Sequence, residues 1–392
     1  MPPPHSTILR PPPPNPAVSP LENDLDTTAL AVLGEDIFTN TRPPWHPPGA
    51  RGIYGGSVVG MCLAAGHRTV STELALHSCH CYFLLAGNAE SPILFHVERV
   101  RDGRSFATRT VQARQRGRCI FTVTMSFTKL PKISSTLSVA TVPLAPGSPW
   151  HAAAMPDVRP PMPGPGYEDG PNNSESVFVR LARAFGGPGA AASITQQPIL
   201  SGPMMITGPN DQPHLKKTMH WVRVRGKISE EGGRAAHLNA LGYVTDNYFI
   251  GTITRIHRLW RFPIPVASLL GKDKKESPFK PEQVQAMRDL VAFETGGETL
   301  ESFLGQAEVG MVVSLDHAIY FHEPDLVRAD EWMLSVMESP WAGEGRGVVT
   351  QRMFRADGTL LVTCIQEGIM RLKDTDKNKK KKEEAKDACA AT

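Results

Sequence analysis

The chain repeats itself. A region from about Leu30 to Leu130 and another from about Met219 to Leu372 each read as a strand, a helix and then several antiparallel strands. A duplicated unit constrains a fold more than any local propensity, because both copies must bury the same face in the same way. In the first copy a strand ending at Ile37-Phe38 precedes a helix opened by Gly55-Gly56-Ser57. That helix continues Val58-Val59-Gly60-Met61-Cys62-Leu63-Ala64-Ala65, apolar on every side and therefore buried all round. Strands are expected at His77–Leu84, Ile93–Arg101, Ser105–Gln115 and Arg118–Lys129, the last two joined by a hairpin in which Gly117 supplies positive φ. The second copy offers a strand at Met219–Lys227, a helix at Arg234–Phe249, and strands at Val312–Phe321, Trp332–Glu338, Gly347–Arg355 and Thr359–Met370.

What surrounds the copies divides the chain further. Residues 1–25 read as a disordered proline-rich arm, 26–130 as the first domain, 131–215 as a linker rich in Pro, Gly, Ala and Ser, and 216–372 as the second domain. Ser174–Phe185 could form a short helix inside the linker. Residues 261–308 look like an insertion with its own helix at Pro281–Phe293, and 373–392 form a charged tail. With 392 residues, two domains plus these extras are comfortable.

Charge and cysteine content exclude several function classes. A net charge of +3 does not suggest a nucleic-acid binder. Apolar runs such as Val58–Ala65 are far too short to span a bilayer, so no membrane span is expected. The six cysteines are sparse and lie mostly in apolar runs, which fits buried reduced thiols. Cys79-His80-Cys81 invites a metal reading, but in a strand the two thiols share a face and the imidazole points away. No second ligand pair has suitable spacing, so neither metal nor cofactor is expected.

Comparing the copies brings out chemistry. Counting from the hairpin glycines, one strand face reads Cys119, Phe121, Val123, Met125, Phe127 in the first copy and Leu360, Val362, Cys364, Gln366, Gly368 in the second. Gln366 thus replaces Met125 on an apolar face, where an unpaired amide costs about 1–3 kcal/mol. Either it satisfies a neighbouring backbone group or it serves a polar site. On the helix, Asp246 follows Gly242 by one turn, a carboxylate beside a bare stretch of helix; a solvated Asp near a helix end is the plainer alternative. Ser314, in Val312-Val313-Ser314-Leu315-Asp316-His317, is a third candidate. Ser314 and His317 also suggest a serine nucleophile, but no G-x-S-x-G elbow surrounds the serine.

These motifs resemble the TesB-type acyl-CoA thioesterase II family, which includes the peroxisomal long-chain acyl-CoA thioesterases. The likeness rests on Arg51-Gly52-Ile53-Tyr54-Gly55-Gly56, on His77-Ser78-Cys79-His80-Cys81-Tyr82-Phe83 and on Arg101-Asp102-Gly103-Arg104-Ser105-Phe106 in the first half. In the second half it rests on Leu241-Gly242-Tyr243-Val244-Thr245-Asp246, on Leu315-Asp316-His317 through Phe321-His322, and on Gln366-Glu367-Gly368. The resemblance implies an α+β double hot-dog fold, two antiparallel sheets each wrapped around a long helix, packed side by side. It implies hydrolysis of medium- or long-chain acyl-CoA by a water activated by Asp246, Ser314 and Gln366. Gly55, Gly56, Gly103 and Ser105 are candidate substrate contacts, the first two by close backbone approach to a developing oxyanion. The expected partners are the acyl-CoA substrate and a second copy in a homo-oligomer. The chain ends Ala390-Ala391-Thr392 rather than in a Ser-Lys-Leu-like tripeptide, so the cytoplasm is expected before the peroxisome. Two other readings stay open: a non-catalytic acyl-CoA-binding protein, and an enoyl-CoA hydratase using His237 with Asp246.

Overall fold

The computed structural model describes residues 11–45, 52–130, 153–164, 167, 177–178, 180–186, 198–272 and 278–373. The first copy contains β2 (Ile37–Asn40), α2 (Gly55–His67), β3 (Leu74–Phe83), β4 (Leu94–Asp102), β5 (Phe106–Gln115) and β6 (Arg118–Lys129), preceded by α1 (Pro20–Leu25) and β1 (Thr27–Ala29). The second begins with β7 (Ile199–Ser201), β8 (Met205–Thr207) and β9 (Lys217–Val224), followed by helices α3 (Gly233–Thr245), α4 (Gly251–Ile256), α5 (Val266–Leu269) and α6 (Pro281–Thr295). It closes with β10 (Val309–Ser314), β11 (Asp316–Phe321), β12 (Met333–Gly343), β13 (Arg346–Arg355) and β14 (Leu360–Leu372).

The strand order is β1-β2-β4-β5-β6-β3-β11-β14-β13-β12-β9-β7. Its two halves, β2-β4-β5-β6-β3 and β11-β14-β13-β12-β9, mirror each other, so the repeat is a repeat of topology. Each half wraps one long helix, which is the double hot-dog arrangement. The two expected sheets are joined: β3 and β11 pair antiparallel, with Ser78 opposite Tyr320 and Tyr82 opposite Asp316, giving one continuous sheet.

Helices α2 and α3 lie against each other inside this sheet, and their glycines set the distance. A Cβ on Gly242 would come within 2.5 Å of Leu63, and one on Gly60 within 3.1 Å of the Asn239 carbonyl. The apolar surface of α2 is correspondingly buried: Val59, Met61, Cys62, Leu63 and Ala65 have no exposure. Cys79 and Cys81 point into the same core.

Several expectations need correction. Within residues 1–25, Pro20–Leu25 is helical rather than disordered. Ser19 and Glu22 form a capping box, and Leu21 and Leu25 are buried in the core. The stretch 131–215 is not all linker. It supplies β7 and β8, both paired with β9. Its segment 153–164 lies partly on the outer face of the second sheet, where Trp221 Nε1 donates to the Pro160 carbonyl at 2.8 Å. Residues 177–178 and 180–186 are helical, whereas 174–176 lie outside the described residues. The helix expected to reach Phe249 ends at Thr245, with Asp246 as its C-cap. The strand expected over Val312–Phe321 breaks at Leu315. Ser314 pairs with Gly368 and Ala318 with Ile365, so four residues on one strand answer three on the other. That is a bulge, and it turns both Ser314 and His317 toward the inner face. Of the tail, residues 374–392 lie outside the described residues.

Candidate active site

The site gathers where the C-terminus of α3 meets the N-terminus of α2. Tyr54, the N-cap of α2, makes no side-chain capping bond. The carboxylate of Asp246, from the other copy, serves instead: its Oδ2 accepts the Gly56 N–H at 2.9 Å. Helix N-termini leave such donors unpaired and favour negative charge. The approach requires glycine. A Cβ on Gly55 would lie 2.6 Å from Asp246 Oδ2, and one on Gly56 would run into the Tyr243 carbonyl.

The other carboxylate oxygen is held by Gln366. Its Nε2 donates to Asp246 Oδ1 at 3.0 Å and lies 3.0 Å from His317 Nδ1. On the far side of that ring, His317 Nε2 is 3.2 Å from Thr245 Oγ1, whose hydroxyl donates to the Gly242 carbonyl at 2.9 Å. Only one proton arrangement satisfies this chain. Thr245 Oγ1 accepts from His317 Nε2–H, leaving Nδ1 bare to accept from the Gln366 amide. Burial drives the His317 pKa down to about 3, so the ring is neutral and accepts as the network requires. The 4.0 Å separation of His317 Nδ1 from Asp246 Oδ1 is therefore not an ion pair.

Both amide hydrogens of Gln366 are thus committed, which leaves its carbonyl oxygen as the one polar atom of the side chain still to be satisfied. Oε1 is buried and has no partner among the described residues. Burial also raises the Asp246 pKa from 3.8 to about 6, against the lowering effect of the bonds from Gln366 and Gly56. The result is a carboxylate of raised basicity beside an unfilled acceptor, both inside an apolar shell. Phe249 stacks edge-on against His317 at 5.2 Å between ring centroids.

The expected site residues divide as follows. Asp246, Gln366, Gly55 and Gly56 come together. Ser314 shares their sheet face, lying opposite Gly368, two residues from Gln366, but its hydroxyl makes no hydrogen bond to Asp246 or Gln366. His317 is bonded to Gln366 and Thr245 rather than to Ser314, which removes the serine-nucleophile geometry. Gly103 and Ser105 stand apart. They build the β4–β5 turn, closed by Gly103 N–H to the Phe106 carbonyl at 2.9 Å and joined to the Lys129 end of β6. Phe83, which walls Gly55, is at the opposite end of β3, paired with Phe121. His237 is near the start of α3, accepting from the Ala329 N–H at 3.2 Å, away from Asp246 at that helix's end. The roles of His317 and Thr245 escaped the sequence reasoning; the signal was Asp316-His317 beside the candidate Ser314.

Comparison with known proteins follows the same division of the chain. Residues 41–128 match the model of the acyl-CoA thioesterase N-terminal domain, and residues 159–370 that of the acyl-CoA thioesterase C-terminal domain. The chain is 33% identical over 351 residues to acyl-coenzyme A thioesterase 8 of Mus musculus, covering 88% of this chain and 87% of the mouse protein. The chain belongs to the acyl-CoA thioesterase family. It is also 26% identical over 357 residues to acyl-CoA thioesterase 2 of Haemophilus influenzae, covering 90% and 99% of the two. Among solved structures it is similar to the acyl-CoA thioesterase II TesB2 of Mycobacterium marinum, with a TM-score of 0.55, 25% identity, and coverage of 90% and 98%. In this thioesterase the two copies are not chemically equivalent. Arg68 caps α2 where Asp246 caps α3. Met125 takes the place of Gln366, and its Cε and Sδ press against Gly66. The corner that is polar in the second copy is filled with hydrocarbon in the first.

Proposed function

We propose that this acyl-CoA thioesterase hydrolyses medium- and long-chain fatty acyl-CoA to free fatty acid and coenzyme A, using one water held by Gln366 and deprotonated by Asp246, with Ser314 completing the site. The observation that carries the reading is the orphaned, buried Gln366 Oε1 beside the Asp246 carboxylate. A water there donates one hydrogen to Oε1 and the other to Asp246 while its oxygen attacks the thioester carbonyl. Asp246 takes the proton, the C–S bond breaks, and the same proton goes to the departing thiolate. A carboxylate with a pKa of about 6 is mostly ionised at neutral pH and still basic enough to accept that proton.

His317 acts through Gln366. By taking one amide hydrogen it fixes the amide so that oxygen, not nitrogen, faces the water. This reading gives Ser314, on the same face and opposite Gly368, the task of holding the water or the thioester oxygen. The Gly56 N–H is committed to Asp246, which leaves the Gly55 N–H at that helix N-terminus as the donor for oxyanion charge. Thiol release from a saturated acyl-CoA is the test. A saturated chain cannot be hydrated and a binding protein frees no thiol, so release supports this reading over both alternatives, and its absence across chain lengths overturns it.

A further inference from the structure

The two copies differ at more than Met125 and Gln366, and the strand pairings show where. Val123 and Cys364 stand equally far beyond Gly117 and Gly358. Val111 pairs with Val123 in the first sheet, and Gln351 with Cys364 in the second. On the next strand Phe95 pairs with Ala113, and Ser335 with Met353. On the strand after that Phe38 pairs with Phe95, and His220 with Ser335. Phe38, Phe95, Val111 and Met125 therefore correspond to His220, Ser335, Gln351 and Gln366. The first four belong to the apolar core. The second four are just as deeply placed, with His220 and Gln351 1% exposed and Ser335 and Gln366 not exposed at all. The copy that carries Asp246 has thus exchanged four core side chains for polar ones, on the inner faces of the adjacent strands β9, β12, β13 and β14.

This polar stripe is only partly satisfied from within. Gln351 Nε2 donates to Ser335 Oγ at 2.9 Å. Gln351 Oε1, Gln366 Oε1 and His220 Nδ1 are buried and have no partner among the described residues. Asn247 Nδ2 lies 3.5 Å from His220 Nε2 and can only donate, so the ring hydrogen sits on Nδ1. Burial pushes the His220 pKa down to about 3, which keeps the ring neutral. Gln351 pairs with Cys364, which makes Gln366 its diagonal neighbour on β14. Such neighbours are about 7–8 Å apart, within reach of one bridging molecule. Both present an acceptor, so the bridge must bring two hydrogens, and water is the molecule that buried polar groups of this kind hold. At its other end the stripe comes within one strand of the sheet edge, where Asn247 donates to Ser201 Oγ of β7 at 3.0 Å.

We propose that the stripe holds bound water and that Gln351 is a positioning residue: through a water shared with Gln366 Oε1, it fixes the carbonyl that orients the hydrolytic water. This rests on the thioesterase reading above. A carbonyl oxygen accepts two hydrogen bonds, so Gln366 takes one from the hydrolytic water and one from the shared water. Ser335 holds the Gln351 amide by its nitrogen and leaves the oxygen for that water, as His317 does for Gln366. His220 donates to the outer water of the stripe. One cause then accounts for all four exchanges, because only the copy with Asp246 has a water to place.

Two measurements test this. A crystal structure of the wild-type protein, at a resolution that shows ordered water, should place one water within hydrogen-bond distance of both Gln351 Oε1 and Gln366 Oε1 and another at His220 Nδ1. A dry stripe overturns the proposal. In solution, Gln351→Met keeps the length of the side chain and removes the acceptor. It should lower kcat for thiol release from a saturated acyl-CoA by about 2- to 12-fold, the worth of one hydrogen bond, with KM unchanged. Ser335→Ala frees the Gln351 amide to rotate and should act in the same direction. A lower Tm with kcat unmoved would make Gln351 a core amide only, and a raised KM with kcat unmoved would make it a substrate contact; either result overturns the proposal. If neither variant folds, the wild-type crystal decides alone. A wild-type protein that frees no thiol overturns the thioesterase reading itself, a result distinct from an active enzyme with a dry stripe.

Discussion

Replacing Gln366 with Met copies the residue that the first half of the chain carries at the equivalent position. Met125 shows that a hot-dog sheet of this kind accepts the side chain, and Gln366 is fully buried, so the exchange is one of polarity more than of volume. The polar balance can be worked bond by bond. The variant loses a donated bond to a carboxylate, and it leaves His317 Nδ1 without its donor. Each loss costs about 1–3 kcal/mol for a buried group. Against this, the variant no longer buries the orphaned Oε1, a term of similar size, and it adds apolar contact. The net change is a destabilisation of about 1–3 kcal/mol, a loss of several degrees in Tm rather than unfolding. The effect on turnover is far larger. The water loses its acceptor, and Asp246 loses one of the two bonds that hold its pKa down, so the carboxyl rises further and less of it is ionised at neutral pH. Loss of a positioned group in proton transfer is worth about 100- to 10,000-fold. The assay is thiol release from a saturated acyl-CoA, with a thermal melt run on the same sample. A folded Gln366→Met protein turning over within threefold of wild type would refute the reasoning, and Gln366 would be a satisfied core amide with no part in the chemistry.

Four further outcomes follow from the same geometry. The log of kcat/KM should rise with unit slope below a pH of about 6 and level off above it, because only the ionised Asp246 accepts a proton. That raised pKa also acts on stability: its contribution is present below the unfolded value of 3.8 and lost as pH rises through about 6, so wild type should lose stability in urea melts between pH 4 and pH 7.5 and Asp246→Asn should lose less over the same range. Gly56→Ala forces a Cβ against the Tyr243 carbonyl and moves the N–H that holds Asp246, so kcat should fall at least about tenfold, one lost charged hydrogen bond, with a lower Tm. His317→Leu frees the Gln366 amide to rotate, and kcat should fall with KM little changed, since His317 acts on the orientation of Gln366 rather than on substrate.

Much of the fold was legible because the determinants are local and repeated. The all-apolar run from Val58 to Ala65 announced a buried helix, and the limits of β6, Arg118–Lys129, are those read from its alternation. Gln366 was legible only because the first copy supplied Met125 as a ruler. Helix α1 was hidden by its proline-rich surroundings, although the Ser19 and Glu22 of its capping box were in view. Strands β7 and β8 lie in a stretch poor in strand residues and exist because β9 offers them an edge. The break at Leu315 could not be read from alternation, since a bulge adds one residue and shifts the inward positions with no composition signal. The contact that builds the site, Asp246 on Gly56, joins residues from different copies, and no local pattern encodes it.

The central claim is that Asp246 is the base. Its most direct test is kcat for Asp246→Asn with a saturated acyl-CoA at pH 7.5. Asparagine keeps the shape and accepts the Gly56 N–H through its own carbonyl oxygen, while its amide nitrogen then faces the Gln366 Nε2 donor, so Tm should fall somewhat in a variant that still folds and whose KM changes little. Its amide has no useful basicity, so kcat should fall by about 100-fold or more, and the acid limb near pH 6 should vanish from whatever activity remains. A variant that kept kcat within a few-fold of wild type, with the limb still in place, would show that another group takes the proton.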